Sequence, residues 1–117
     1  MSVSLHSRIS TGDTNQVSVT ARPGNINKLI VSNSSASIRY MHLYNLATAP
    51  TAGSGTPVAR FLIPGNASGT VLSLNLGSYG GEDTFTSGIG YTITTGYADA
   101  DTGAIGAGEV IINMEYY

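Results

Sequence analysis

Apolar residues along this chain recur at every second position, in short runs separated by Gly, Pro, Asn and Ser. That period is the one a half-buried strand imposes, because successive side chains point to opposite faces. Val3 and Leu5 open the first run, and Val17 and Val19 share one face of the second, 16–20. Pro23-Gly24 then supplies a turn, the proline fixing φ and the glycine accepting a positive one. A run rich in β-branched residues over 27–32 ends at Asn33-Ser34-Ser35. The longest run, 38–46, puts Met41 and Leu43 on one face and Tyr40, His42 and Tyr44 on the other. Tyrosine combines apolar area with a polar rim, so both faces of this strand are expected to be covered.

A loop of small residues over 48–57 precedes a fifth strand over 58–63, which Pro64-Gly65-Asn66 closes. Leu72, Leu74 and Leu76 alternate with Ser73 and Asn75 as a one-sided strand, followed by an expected loop over 77–81. Ile89, Tyr91 and Ile93, then Val110, Ile112, Met114 and Tyr116, complete the set. Helical periodicity is missing throughout. Roughly eight short strands without crossover helices predict an all-β fold, an antiparallel jelly-roll-like β-sandwich, with an immunoglobulin-like sandwich as the second choice. The 117 residues suit one domain, 1–117, whose first 27 residues form an N-terminal arm or edge strands.

Charge changes the picture more than hydrophobicity does. Charged residues make up 10% of the chain, against about 25% in an ordinary domain. Ser, Thr, Gly and Asn take their place. Solubility normally draws on interspersed charge, and interface cores are depleted in Lys, Glu and Asp, so much of the surface is expected to be hidden in an assembly. The charges are also segregated. All five bases (Arg8, Arg22, Lys28, Arg39, Arg60) lie in the first 60 residues with Asp13 as the only acid. Glu82, Asp83, Asp99, Asp101, Glu109 and Glu115 follow with no base. Either early and late strands neighbour each other and pair internally, or opposite faces meet between subunits. Nucleic acid is not an expected partner, because phosphate recognition needs clustered Lys and Arg. No apolar run approaches a bilayer span, and the first residues do not read as a secretory signal. The absence of cysteine excludes disulfides and thiolate chemistry and favours folding in the cytoplasm.

Candidate chemistry is sparse, and no enzyme is expected. Two histidines, His6 and His42, are present without a Gly-x-Ser-x-Gly elbow, and His42 is read as an interface residue whose charging could tune a contact. Glu82 and Asp83 are adjacent and would point to opposite faces, a poor geometry for shared acid–base work. Asp99-Ala100-Asp101-Thr102-Gly103 could offer carboxylates to Ca²⁺ at Asp99 and Asp101, but it lacks the spacing and late Glu of a calcium loop, and a turn is the preferred reading. The glycine-rich stretches match no phosphate-binding pattern, and neither a cofactor nor a small-molecule ligand is expected. Asn33-Ser34-Ser35 and Asn66-Ala67-Ser68 match the glycosylation tripeptide by chance. Seven tyrosines remain, and Tyr40, His42, Tyr44, Tyr97, Tyr116 and Tyr117 are the candidate interface residues. The tail, ending on Tyr116 and Tyr117, is expected to be docked on a sheet.

Two groups of phrases carry a family resemblance. The first is Arg39-Tyr40-Met41-His42-Leu43-Tyr44-Asn45 with Ala49-Pro50-Thr51, Gly55-Thr56-Pro57-Val58 and Ile63-Pro64-Gly65-Asn66. The second is Gly90-Tyr91-Thr92-Ile93-Thr94-Thr95-Gly96, Ala98-Asp99-Ala100-Asp101-Thr102-Gly103-Ala104 and Val110-Ile111-Ile112-Asn113. Over 28–117 the chain resembles small β-sandwich virion accessory proteins of tailed bacteriophages, of the capsid decoration or cement type. The resemblance implies a structural protein of the capsid surface, made in the host cytoplasm. It further implies a homotrimer that clamps neighbouring subunits of the major capsid protein, and it supplies no catalytic residues. The alternative is a tail, fibre or baseplate module that binds glycans through loops such as 97–101.

Overall fold

The computed structural model describes residues 3–65, 71–79 and 84–117, with residues 76–79 described by their backbone. Eight strands form: β1 (Ser4–Ile9), β2 (Val17–Thr20), β3 (Ile26–Asn33), β4 (Arg39–Tyr44), β5 (Ala59–Ile63), β6 (Val71–Tyr79), β7 (Ile89–Thr94) and β8 (Val110–Tyr116). They build two four-stranded sheets, β1-β8-β3-β6 and β2-β7-β4-β5, paired antiparallel throughout. In this order β1 pairs with β8, β2 with β7, β3 with β6 and β4 with β5, as if one long hairpin had been rolled over on itself. That is the jelly-roll order, and it sets aside the immunoglobulin-like alternative. Rolling brings the two halves of the sequence together everywhere.

Alternation fixes which residues face inward. Leu29, Val31, Ile112 and Met114 from one sheet meet Met41, Leu43, Ile89, Tyr91 and Ile93 from the other, all fully buried. Ile26, Ile63 and Phe85 close the same core. A slip of one residue in any of these strands would exchange the buried and exposed sets, so the core itself pins the register.

Residues 1–27 take one of their two expected forms, and one later stretch differs from the sequence reading. Residues 1–27 contribute both early edge strands: β1 borders one sheet and β2 the other. The segment expected to loop from Gly77 instead continues β6 to Tyr79. Between Ile26↔Tyr79 and Lys28↔Asn75 the register shifts, so β6 carries extra residues opposite Asn27. A glycine inside a strand accommodates such a bulge, and pairing with β3 outweighs its local preference for a turn. The tail is docked: Tyr116 pairs with Ser4 and Ile26, and Tyr117 and Asn25 exchange backbone hydrogen bonds of 2.7 and 3.0 Å.

Candidate interaction surface

The two sheets have very different outer faces. On the β2-β7-β4-β5 sheet the chain roofs itself. Loops over 45–58 and 95–103 fold back across the strands, and outward-pointing His42, Tyr44, Thr92 and Thr94 are at most 3% exposed. Pro50 lies on Gly90, where a Cβ would meet the proline ring, and the Ala52 N–H donates to Gln16 Oε1 at 2.9 Å. The two loops touch at Gly53, whose φ of 80° and close approach to Thr102 and Ala100 require glycine. His42 Nε2 lies 3.2 Å from the Tyr97 carbonyl oxygen. A carbonyl only accepts, so Nε2 carries the proton. That leaves Nδ1 as an acceptor without a protein partner, like the hydroxyl of Thr92, which is its register partner.

The expected interface residues therefore divide. His42 and Tyr44 belong to the interior of the monomer, covered by its own loops and not offered to a partner subunit. Tyr40 is half-buried and meets Tyr97 edge to face, with ring centroids 6.3 Å apart. Tyr97 projects with 75% of its surface exposed. Tyr116 and Tyr117, both half-buried, line a cleft of about 420 Å³ with Ser4, Thr20, Arg22 and Pro23.

Two of the arginines settle into internal ion pairs. Arg39 donates to both carboxylate oxygens of Glu109 at 2.7 and 3.1 Å in a largely buried setting. Arg60 does the same to Asp99 at 2.6 Å, on the exposed surface. Each arginine holds its carboxylate below the ordinary range, chiefly through the hydrogen bonds. Lys28 stands opposite Glu115, which also accepts from Asn27 at 2.9 Å. The segregation of charge along the sequence is thus the signature of the rolled topology.

Asp99 is occupied by Arg60, and Asp101 turns back to accept from the Gly103 N–H at 2.8 Å. Among the described residues no group of three His, Asp or Glu side chains converges as a metal site would require. Glu82, Asp83 and the tripeptide beginning at Asn66 lie outside the described residues. Asn33 is buried and spends its amide on the Ser37 and Pro64 carbonyls, a structural use that closes it to modification.

One polar cluster sits inside the sandwich mouth. The inward positions of β1 are Ser4, His6 and Arg8, and His6 Nε2 lies 2.8 Å from the Tyr91 hydroxyl. Burial, helped by Arg8, pulls the His6 pKa down, and burial pushes the Tyr91 phenol up. Both shifts favour the neutral forms, so the contact is a hydrogen bond between an uncharged imidazole and an uncharged phenol.

Among the described residues, no loop roofs the outer face of the β1-β8-β3-β6 sheet. Ile9 stands opposite Ile111, Ile111 opposite Ser32, and Ser32 opposite Val71. Ile30 lies one row along, and Leu5 beyond it. These five side chains are 36–65% exposed. Lys28 and Glu115 are the only charged residues on this face among those described, and they oppose each other. Scattered exposed apolar residues are ordinary, but five gathered on one face of a sheet form a patch of the kind that marks an interaction site. The sequence carried a signal for it: Ile30 and Ile111 are apolar at positions where one-sided alternation calls for a polar residue. Comparison with models of known protein families and with curated protein sequences finds no match.

Proposed function

We propose that the protein is a non-enzymatic structural component of a bacteriophage particle, a decoration or cement protein that docks on neighbouring subunits of the major capsid protein. The observation that carries this reading is the unroofed, nearly uncharged outer face of the β1-β8-β3-β6 sheet. Burying such a face contributes about 25 cal/mol per Å² of apolar area, and a specific contact needs about 1,000 Å² in total. Many copies on one shell add avidity. The reading is tested by mixing the purified protein with expanded capsids that lack it and following capsid disruption on heating. The protein should co-sediment with the shells and raise their disruption temperature. Ile111→Asp should abolish both effects while leaving the unfolding midpoint of the free protein almost unchanged. Unaltered shell binding by that variant would remove this face from the proposal.

A second reading, a glycan-binding tail, fibre or baseplate module, draws on the exposed Tyr97 ring braced by Tyr40. Sugar rings stack on such platforms. It requires measurable oligosaccharide binding that Tyr97→Ala eliminates, with no affinity for capsids.

A further inference from the structure

Two polar atoms stand out beneath the roof of the β2-β7-β4-β5 sheet. His42 Nδ1 and the Thr92 hydroxyl are both buried, and neither has a hydrogen-bond partner in the protein. The residues that carry them are only 2% and 1% exposed. They are also register partners, His42 on β4 directly opposite Thr92 on β7. Side chains at such positions spring from Cβ atoms about 5 Å apart. A buried polar atom left unpaired gives up its hydration for nothing in return, and folded proteins seldom leave one so. Here two lie side by side.

We infer that one buried water bridges His42 Nδ1 and the Thr92 hydroxyl, and that this bridge fixes the imidazole that latches the 95–103 loop. His42 Nε2 spends its proton on the Tyr97 carbonyl oxygen, 3.2 Å away, so Nδ1 of the neutral ring can only accept. The Thr92 hydroxyl can donate or accept. A water between them donates one hydrogen to Nδ1, and it either donates the other to Thr92 or accepts from that hydroxyl. An internal water needs at least two polar partners, and this pair supplies them, whereas an apolar occupant would satisfy neither atom. A metal ion fits less well, because among the described residues no cluster of three His, Asp or Glu side chains forms.

The bridge bears on the exposed ring of Tyr97. The loop meets the sheet through two adjacent carbonyls: Gly96 accepts from Thr94 Oγ1 at 2.9 Å, and Tyr97 accepts from His42. Rotation of the imidazole would turn Nε2 away from the Tyr97 carbonyl. The hydrogen bond at one ring nitrogen sets the role of the other, so a water held on Nδ1 keeps the proton on Nε2 and the ring in place. His42 is thus a positioning residue for the loop that presents Tyr97.

This inference requires neither the capsid nor the glycan reading and is tested on the free protein. Long-range nitrogen-15 spectra should show His42 protonated at Nε2, with Nδ1 unprotonated and hydrogen-bonded. Cross-relaxation should connect the His42 or Thr92 side chain to a long-resident water. Thr92→Val, which removes the hydroxyl and keeps the side-chain shape, separates the two cases by sign. With the bridge, the water loses a partner, so the urea midpoint falls. Amide exchange over 95–103 then quickens roughly threefold to tenfold, the worth of one hydrogen bond. Without it, the substitution deletes an unpaired group, the midpoint rises and loop exchange stays at the parent rate. Thr92→Ser keeps the hydroxyl and should preserve both the Nδ1 signal and the loop exchange. A raised midpoint in Thr92→Val, a proton on Nδ1, no bound-water signal, or a serine variant whose loop behaves like that of the valine variant each overturns the inference.

Discussion

The outer faces of the two sheets are built from similar strands yet meet different fates. On β4 the alternating Tyr40, His42 and Tyr44 lie beneath loops of the same chain, with His42 and Tyr44 almost wholly buried. On β1, β8, β3 and β6 the outward Leu5, Ile9, Ile111, Ile30 and Val71 stay 36–65% exposed. The amphipathic residues, which resemble an interface by composition, are roofed. The plain aliphatic residues, which resemble core by composition, are bare. Residue type indicates which faces want cover; loop length decides whether the chain itself supplies it. The roofed sheet receives two long loops, whereas among the described residues none crosses the face of the other.

That contrast predicts opposite mutational profiles. Tyr44→Ala should cost about 3–5 kcal/mol, the range for emptying a large aromatic site, read as a lowered urea midpoint. Ile111→Ala should stay within about 0.5 kcal/mol, as surface changes usually do. Equal losses at the two positions would break the comparison. Next in size, Gly90→Ala should lift Pro50 from the sheet and cost about 1–3 kcal/mol by overpacking, whereas Ser73→Ala on the bare side should leave the midpoint in place.

Arg39→Ala should cost about 1–3 kcal/mol, because it strands a largely buried carboxylate that makes charge-assisted hydrogen bonds. The same pair sets an acid dependence. Glu109 titrates lower when folded than when unfolded, so its contribution is complete above the ordinary glutamate range and is lost as pH falls below it. His6 is likewise depressed, chiefly by burial, so the unfolded chain takes up its proton first. Stability should therefore begin to fall at the ordinary histidine range, about pH 6.5, well before Glu109 contributes. His6→Gln should delete that first step in urea midpoints measured against pH, and its persistence would assign the step elsewhere. Arg60→Ala should have the smallest effect on the midpoint, since its partner Asp99 is solvated and screened by salt.

Much of this architecture was legible in advance. Period-two alternation fixed the strands and their buried faces, because only one register of Leu29-Val31 or Ile112-Met114 satisfies a core. The separation of bases from acids left two readings open, pairing within the fold or between subunits, and Arg39–Glu109 and Arg60–Asp99 pair within the fold. The extension of β6 through Gly77 was not legible, since a glycine signals a turn locally and a bulge only once β3 is beside it. Nor was the burial of His42 and Tyr44, which depends on where two loops come to rest. Local sequence determined which residues want cover, through hydrophobicity and strand period. Tertiary structure alone decided what supplies it, because that depends on contacts between residues distant in the chain, such as Gly53 with Ala100 and Pro50 with Gly90.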